Sequence, residues 1–88
     1  MKLVLCLTCQ DVFKLAVGRT RSCMCGNCSG RYLDDKYRAE ISGESAIPIG
    51  FNNRSLATAL RDQPSEGMGR RFEAFVIPKE CATIQVKE

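Results

Sequence analysis

The chain has 88 residues, of which six are cysteine and none is histidine, and its formal charge is +3. A chain of this length forms one small domain, which we place over residues 1–88, and its hydrophobic core is marginal unless a crosslink or a metal adds stability. The lack of histidine excludes Ser-His-Asp and Cys-His catalysis, as well as metal sites with imidazole ligands.

The first apolar segment, residues 3–7, is too short for a signal peptide. A signal peptide needs an apolar region of about 7–15 residues and a small-residue cleavage site. No later stretch approaches the roughly 20 apolar residues of a membrane helix. We therefore expect the protein in a reducing cytoplasm, where clustered cysteines favour metal ligation over disulfides.

Five of the six cysteines form two close clusters. Cys6-x2-Cys9 is followed, after thirteen residues, by Cys23-x-Cys25-x2-Cys28. Two clusters at a hairpin-length separation are typical of one tetrahedral zinc ion, because each turn directs its thiolates to one side and the hairpin brings the turns together. A set of free or redox-active thiols is the alternative.

Four ligands have to come from these five cysteines. Gly26 favours Cys23-Met24-Cys25-Gly26 as the second turn, because glycine relieves crowding where backbone N–H groups turn towards the sulfurs. The first turn lacks such a glycine at position 10. Cys28, with the more common CxxC spacing, is the alternative ligand. We predict one structural Zn²⁺ held by Cys6, Cys9, Cys23 and Cys25.

With CLTC, a hairpin and CMCGNCSGRY, residues 4–32 resemble a zinc ribbon. The whole chain is similar to small uncharacterised zinc-binding proteins of bacteria and their phages. The resemblance implies a ribbon part over residues 1–32 and a remainder over residues 33–88. Zinc ribbons occur in transcription factors, polymerase subunits, ribosomal proteins and interaction modules, so the resemblance implies metal binding without naming a partner.

Alternating apolar residues predict a series of strands after the first cysteine pair. Residues 12–17 and 19–23 are predicted as the two ribbon strands. Residues 31–41 alternate as a further strand, which Asp34-Asp35 can interrupt. Residues 46–51 follow as a strand, and Pro48 places that strand at a sheet edge because proline cannot donate a ladder hydrogen bond.

One helix is predicted after these strands. Asn52-Asn53 provides an N-terminal cap, Leu56 and Leu60 share one helix face, and Pro64 ends the helix near Asp62.

The C-terminal part reads as a loop and two strands. Residues 64–71 form the loop, residues 72–77 a central strand and residues 82–86 the last strand. Cys81 is expected to be a small buried side chain. The predicted fold class is α+β, with an N-terminal zinc ribbon leading into a small antiparallel sheet and one helix across it.

Arginines are the candidate binding residues. Arg19 and Arg21 point the same way on a strand and can meet successive phosphates, while Tyr32 or Phe13 can stack on an unpaired base. The glycine loop at residues 67–71 can hold a phosphate in its N–H groups, although it is not a Walker loop. Solvated surface is the alternative for both. The candidates for nucleic-acid or partner binding are Arg19, Arg21, Arg31, Arg70 and Arg71.

A closed four-thiolate site is structural rather than catalytic, so we expect no enzyme. The expected function is a zinc-binding module that docks on nucleic acid or on a protein that processes it. A protein-only regulator or inhibitor, and a thiol and zinc redox switch with Cys28 as spare thiol, are the alternatives. Four thiolates and one Zn²⁺ lower the net charge from +3 to about +1, so nucleic-acid affinity has to come from local placement of arginines.

Overall fold

Two four-stranded sheets and one helix make up the computed structural model, which describes residues 1–78 and 80–87. The first sheet has the strand order β2-β1-β6-β7 and the second β3-β4-β5-β8. All pairs are antiparallel except β5 and β8, which run parallel. The elements are β1 (Lys2–Cys6), β2 (Val12–Lys14), β3 (Arg21–Ser22), β4 (Ser29–Tyr32), β5 (Ala39–Ser42), β6 (Ala46–Phe51), α1 (Asn53–Arg61), β7 (Ala74–Val76) and β8 (Ile84–Lys87).

This mixture of sheets and one short helix agrees with the α+β prediction, but two parts of the predicted architecture are wrong. The sheet that contains β8 is not wholly antiparallel, because β8 runs parallel to β5. The predicted pairing of residues 12–17 with residues 19–23 does not occur, because β2 and β3 belong to different sheets.

The chain crosses from the first sheet to the second directly after β2. Leu15 is buried at this crossing, and the N–H of Tyr32 donates to the carbonyl of Ala16 at 2.9 Å. Val17 then forms an isolated bridge with Tyr32. Burial of Leu15 and pairing with β4 therefore replace the predicted hairpin between residues 12–17 and 19–23.

The predicted strand over residues 31–41 is a hairpin of β4 and β5. The N–H of Leu33 donates to the carbonyl of Arg38 at 2.8 Å and closes the turn. The Asp35 carboxylate accepts from the N–H groups of Tyr37 and Arg38 and from Nε of Arg38, the last at 2.7 Å. The Arg38 side chain and these N–H groups hold the pKa of Asp35 at about 2. The predicted interruption at Asp34-Asp35 is thus a complete turn.

Strand β6 lies inside its sheet, between β1 and β7, so the prediction that Pro48 marks an edge strand is wrong. Pro48 is buried opposite Val4, and its carbonyl accepts from the N–H of Ile77 at 2.9 Å. In an antiparallel strand the N and C=O of one residue face the same neighbour. The missing N–H therefore faces Ile77, the residue just after β7 ends at Val76, so the ladder lacks one bond only at the end of that strand pair.

Strand β7 is the edge strand instead, which corrects the prediction of a central strand over residues 72–77. Its three residues, Ala74, Phe75 and Val76, are all exposed, and β6 is its one partner strand among the described residues. Ile77, just beyond it, is buried. The apolar run of residues 74–77 therefore lies at the edge of a sheet and not in its middle.

The helix begins and ends where the sequence predicts. The side chain of Asn52 accepts from the N–H of Ser55 at 3.0 Å, and the helix ends at Arg61. None of its nine residues, all within the described part of the chain, is buried, and Leu60 is 64% exposed. The helix therefore does not lie across a sheet as predicted. Among the described residues, no helix is long and apolar enough to cross a membrane.

The core lies between the two sheets and includes cysteines of the proposed metal cluster. Cys81, predicted to be buried, is half-buried, with its Sγ 3.2 Å from Oγ1 of Thr83. The last strand is buried at Ile84 but 60% exposed at Val86, so its inward face is only partly covered. Among the described residues the buried apolar side chains are Val4, Cys6, Phe13, Leu15, Cys23, Cys28, Ala39, Ile41, Ile77 and Ile84.

Candidate metal centre

Four cysteine sulfurs converge where β1 ends and β3 ends. The Sγ atoms of Cys6, Cys9, Cys23 and Cys25 all lie within 4.8 Å of one another. The sulfurs of Cys6 and Cys25 are 3.7 Å apart, and those of Cys23 and Cys25 are 3.4 Å apart. Zn–S bonds of about 2.3 Å in a tetrahedron place sulfurs about 3.8 Å apart. The cluster therefore has the size that a tetrahedral metal-thiolate site requires.

The first turn of the cluster joins Cys6 to Gln10. The N–H of Gln10 donates to the carbonyl of Cys6 at 2.7 Å, and Gln10 takes a φ of 61°. This is the left-handed conformation for which glycine is usual, so a glutamine occupies the position where the sequence lacks a glycine. The backbone N–H of Cys9, and less strongly that of Thr8, lower the pKa of the Cys6 thiol to about 6. The turn thus favours the thiolate, which is the form that binds metal.

The second turn is Cys23-Met24-Cys25-Gly26. The N–H of Gly26 donates to the carbonyl of Cys23 at 3.1 Å, and Gly26 has a φ of 80°. This is the conformation for which the sequence analysis selected this turn. Burial raises the pKa of Cys23, but the N–H of Cys28 and the thiol of Cys25 more than offset it and lower the pKa.

Protons are shared among the sulfurs of the cluster. The N–H of Asn27 lowers the pKa of the Cys25 thiol, but burial and the neighbouring thiols outweigh it and raise the pKa to about 12. Cys25 lies within hydrogen-bond distance of Cys6 and of Cys23, and either sulfur of each pair can be the donor. A metal ion that binds four thiolates displaces such protons, so binding is coupled to proton release.

Cys28 supports the cluster through its backbone. Its N–H donates to the Sγ of Cys23 at 3.3 Å, and its carbonyl accepts from the N–H of Cys23 at 3.0 Å. Its side chain is 1% exposed, and burial raises the pKa of its thiol to about 12. The structure brings together the four predicted ligands and places the alternative ligand in the core beside them.

Asp11 is a positioning residue that the sequence analysis did not identify. Its carbonyl accepts from the N–H of Cys6 at 2.9 Å, and its carboxylate accepts from the N–H of Met24 at 3.1 Å. One residue thereby ties the first turn to the second. An acidic residue two positions after the second cysteine is the only signal of this role in the sequence.

We expect Asp11→Ala to lower the free energy of unfolding by about 1 kcal/mol, because the N–H of Met24 loses a charged acceptor at a partly exposed site. Asp11→Asn keeps an acceptor oxygen and is expected to lose less. Glu66→Ala removes one negative charge from an exposed loop and is the control for net charge. Competition with a chromophoric chelator and thermal unfolding measure the effects. Equal behaviour of the Ala variant and the wild type would contradict this role of Asp11.

The candidate arginines do not form one surface. Arg19 and Arg21 line the same cleft, of about 480 Å³, although Arg19 lies in a bend and not on a strand. Arg31 lies 3.6 Å from Glu40 at a different, smaller cleft. Arg70 lies beside the helix, and Arg71 is exposed in the same loop.

Of the two aromatic candidates for base stacking, only one is accessible. Tyr32 lines the cleft of Arg19 and Arg21 and is half-buried. Phe13 is 7% exposed and belongs to the core, so the prediction that it can stack on a base is wrong.

Comparison with known proteins returns no match to this chain. No family model matches it, and neither does any curated protein or solved structure. The four-sulfur cluster therefore supports a metal-binding site without naming a zinc ribbon, and the function has to be argued from the site itself.

Proposed function

We propose that the protein is a small module built around a structural zinc ion. The observation that supports this is the convergence of four cysteine sulfurs within 4.8 Å of one another. Tetrahedral coordination by four thiolates is the typical structural zinc site, and it leaves no position open for a substrate or water. The ligands would be Cys6, Cys9, Cys23 and Cys25.

A metal here would crosslink the two sheets. Cys6 is the last residue of β1 in the first sheet, and Cys23 follows β3 in the second sheet. Structural zinc contributes about 10–16 kcal/mol of apparent binding energy, whereas small proteins have net stabilities of only about 5–15 kcal/mol. The fold of this short chain is therefore expected to depend on the metal.

We further propose that the module acts by docking on nucleic acid, or on a protein that processes it, and not as an enzyme. A closed thiolate site and a sequence without histidine supply neither a Lewis acid with an open position nor a general base of the usual kind. Exposed cationic side chains that have no ion-pair partner among the described residues line one cleft and support nucleic acid as the partner.

Metal analysis tests the zinc proposal. Protein purified under reducing conditions without added metal should contain one zinc per chain by mass spectrometry. A strong chelator should abolish the circular dichroism of the folded state, and added zinc should restore it. Folded protein with less than one zinc per chain, a fold retained after chelation, or iron in place of zinc would overturn the proposal.

A further inference from the structure

One cleft of this protein gathers four cationic side chains. Lys14, at the end of β2, Arg19 and Arg21, which flank the start of β3, and Lys36, in the turn between β4 and β5, line a cleft of about 480 Å³. They come from three separate segments of the chain, so their meeting is a result of the fold. Of these four residues, Arg19 and Arg21 are the binding candidates that the sequence indicates.

These four charges are not neutralised within the part of the chain that the structure describes. The recorded ion pairs there join Arg31 with Glu40 and Arg38 with Asp35. None of the described residues that line the cleft is acidic, and all four cationic residues are exposed. Like charges around a concave surface focus a positive potential and attract an anionic ligand.

The floor of the cleft is apolar and aromatic. Leu15 is 2% exposed, and Tyr32 is half-buried. The Tyr32 hydroxyl accepts from the backbone N–H of Lys2 at 2.8 Å, which fixes the ring against β1. A cationic rim over an aromatic floor is the combination by which proteins bind single-stranded nucleic acid, with phosphates on the rim and a base on the ring.

The size of the cleft is compatible with one nucleotide of a strand. A volume of about 480 Å³ lies in the usual range for small-molecule pockets, and an unpaired base is the form that can reach the ring of Tyr32. We propose that this cleft binds the backbone of single-stranded nucleic acid, with one base against Tyr32. This rests on the proposed docking on nucleic acid and deepens it by naming the strand and the site.

Fluorescence anisotropy with a labelled oligothymidylate of about 12 nucleotides tests the proposal. Each phosphate contact with a single strand contributes about −0.7 to the slope of log affinity against log salt. We expect the variant Arg19→Ala/Arg21→Ala to bind about tenfold more weakly at low salt. Because two phosphate contacts are lost, its slope of log affinity against log salt should be about 1.4 less negative. Arg70→Ala/Arg71→Ala removes the same charge elsewhere and is expected to stay near the wild-type affinity and slope.

Variants of Tyr32 test base stacking separately from the charge contacts with phosphate. Tyr32→Leu is expected to lower affinity by about fivefold or more through lost stacking, with an unchanged salt slope. Tyr32→Phe keeps the ring, removes only the hydroxyl that accepts from Lys2, and is the matched control. A matched duplex and a polyglutamate peptide are the competing probes. Equal binding of either probe, or equal losses in the two arginine double variants, would overturn the proposal.

Zinc content and circular dichroism measured on the same samples separate the two proposals. Folded protein with one zinc per chain that binds no oligonucleotide at low salt would refute the cleft proposal and leave the zinc module standing. Folded protein without zinc that binds the oligonucleotide with the expected salt slope would refute the zinc module and leave the cleft proposal standing. Folded protein that neither holds zinc nor binds would refute both.

Discussion

Cys6→Ser is expected to leave the protein without stoichiometric zinc and largely unfolded. The lost metal accounts for about 10 kcal/mol or more of apparent binding energy, which is comparable to the whole net stability, about 5–15 kcal/mol, expected for a small domain. The same outcome is expected for the other three cysteines of the cluster. Zinc per chain, together with the free energy of unfolding in urea, measures it. Cys81→Ser is the control, because this half-buried thiol lies outside the cluster.

Cys28→Ala decides between the two possible ligand sets. The N–H of Cys28 donates to the Sγ of Cys23, and alanine keeps this group, although it removes the thiol that interacts with Cys6 and Cys23. We therefore expect one zinc per chain and a loss of stability of only about 1 kcal/mol, from the smaller buried side chain. Loss of zinc in Cys28→Ala, with retention in Cys25→Ser, would show that Cys28 and not Cys25 is the fourth ligand.

Gly43→Ala is expected to be strongly destabilising, although Gly43 lies outside the cluster. Gly43 follows β5 with a φ of 112°, and an added Cβ would collide with the carbonyl of Asn27 and lie 3.1 Å from the Cα of Cys28. Both obstacles are backbone of the segment that carries the second cysteine turn. Left-handed strain of about 1–2 kcal/mol and overpacking of about 1–3 kcal/mol together predict a loss of about 3 kcal/mol, with weaker zinc binding.

Gly67→Ala is the matched control for Gly43→Ala. Gly67 also has a positive φ, of 85°, but nothing lies within 4 Å of an added Cβ. The variant Gly67→Ala should therefore lose only about 1 kcal/mol of unfolding free energy, from backbone strain alone, and keep its zinc affinity. If urea unfolding gave equal losses for the two variants, the turn at Gly43 would not support the metal centre.

The local features of this protein could be read from its sequence, because they depend on residues close together in the chain. The cysteine spacing and Gly26 selected the four residues whose sulfurs the structure brings together. Asn52 predicted the helix cap, which the structure confirms. In each case a turn or a cap is stabilised by hydrogen bonds that span only a few residues.

Strand partners could not be predicted in the same way. Alternation indicates which face of a strand is buried, but not which other strand lies beside it. The short apolar run at residues 3–7 does not by itself predict a strand, yet β1 lies inside the first sheet and pairs with β2 and β6. The missing N–H of Pro48 predicts an edge strand, but the sequence does not show that β7, the neighbour on that side, ends at Val76.

The position of the cysteine cluster also bears on the order of folding. All four sulfurs belong to the first 25 residues, so they are close together along the chain. The strand pairs span longer stretches: β1 pairs with β6, as far as Gly50, and β5 pairs with β8, the last strand described. Loop closure is less unfavourable over the shorter span, so the nascent chain can capture the ion before either sheet has all its strands. Metal capture would then fix β1 and β3 on opposite sides of the future core, and the later strands would add to a nucleus that is already in place.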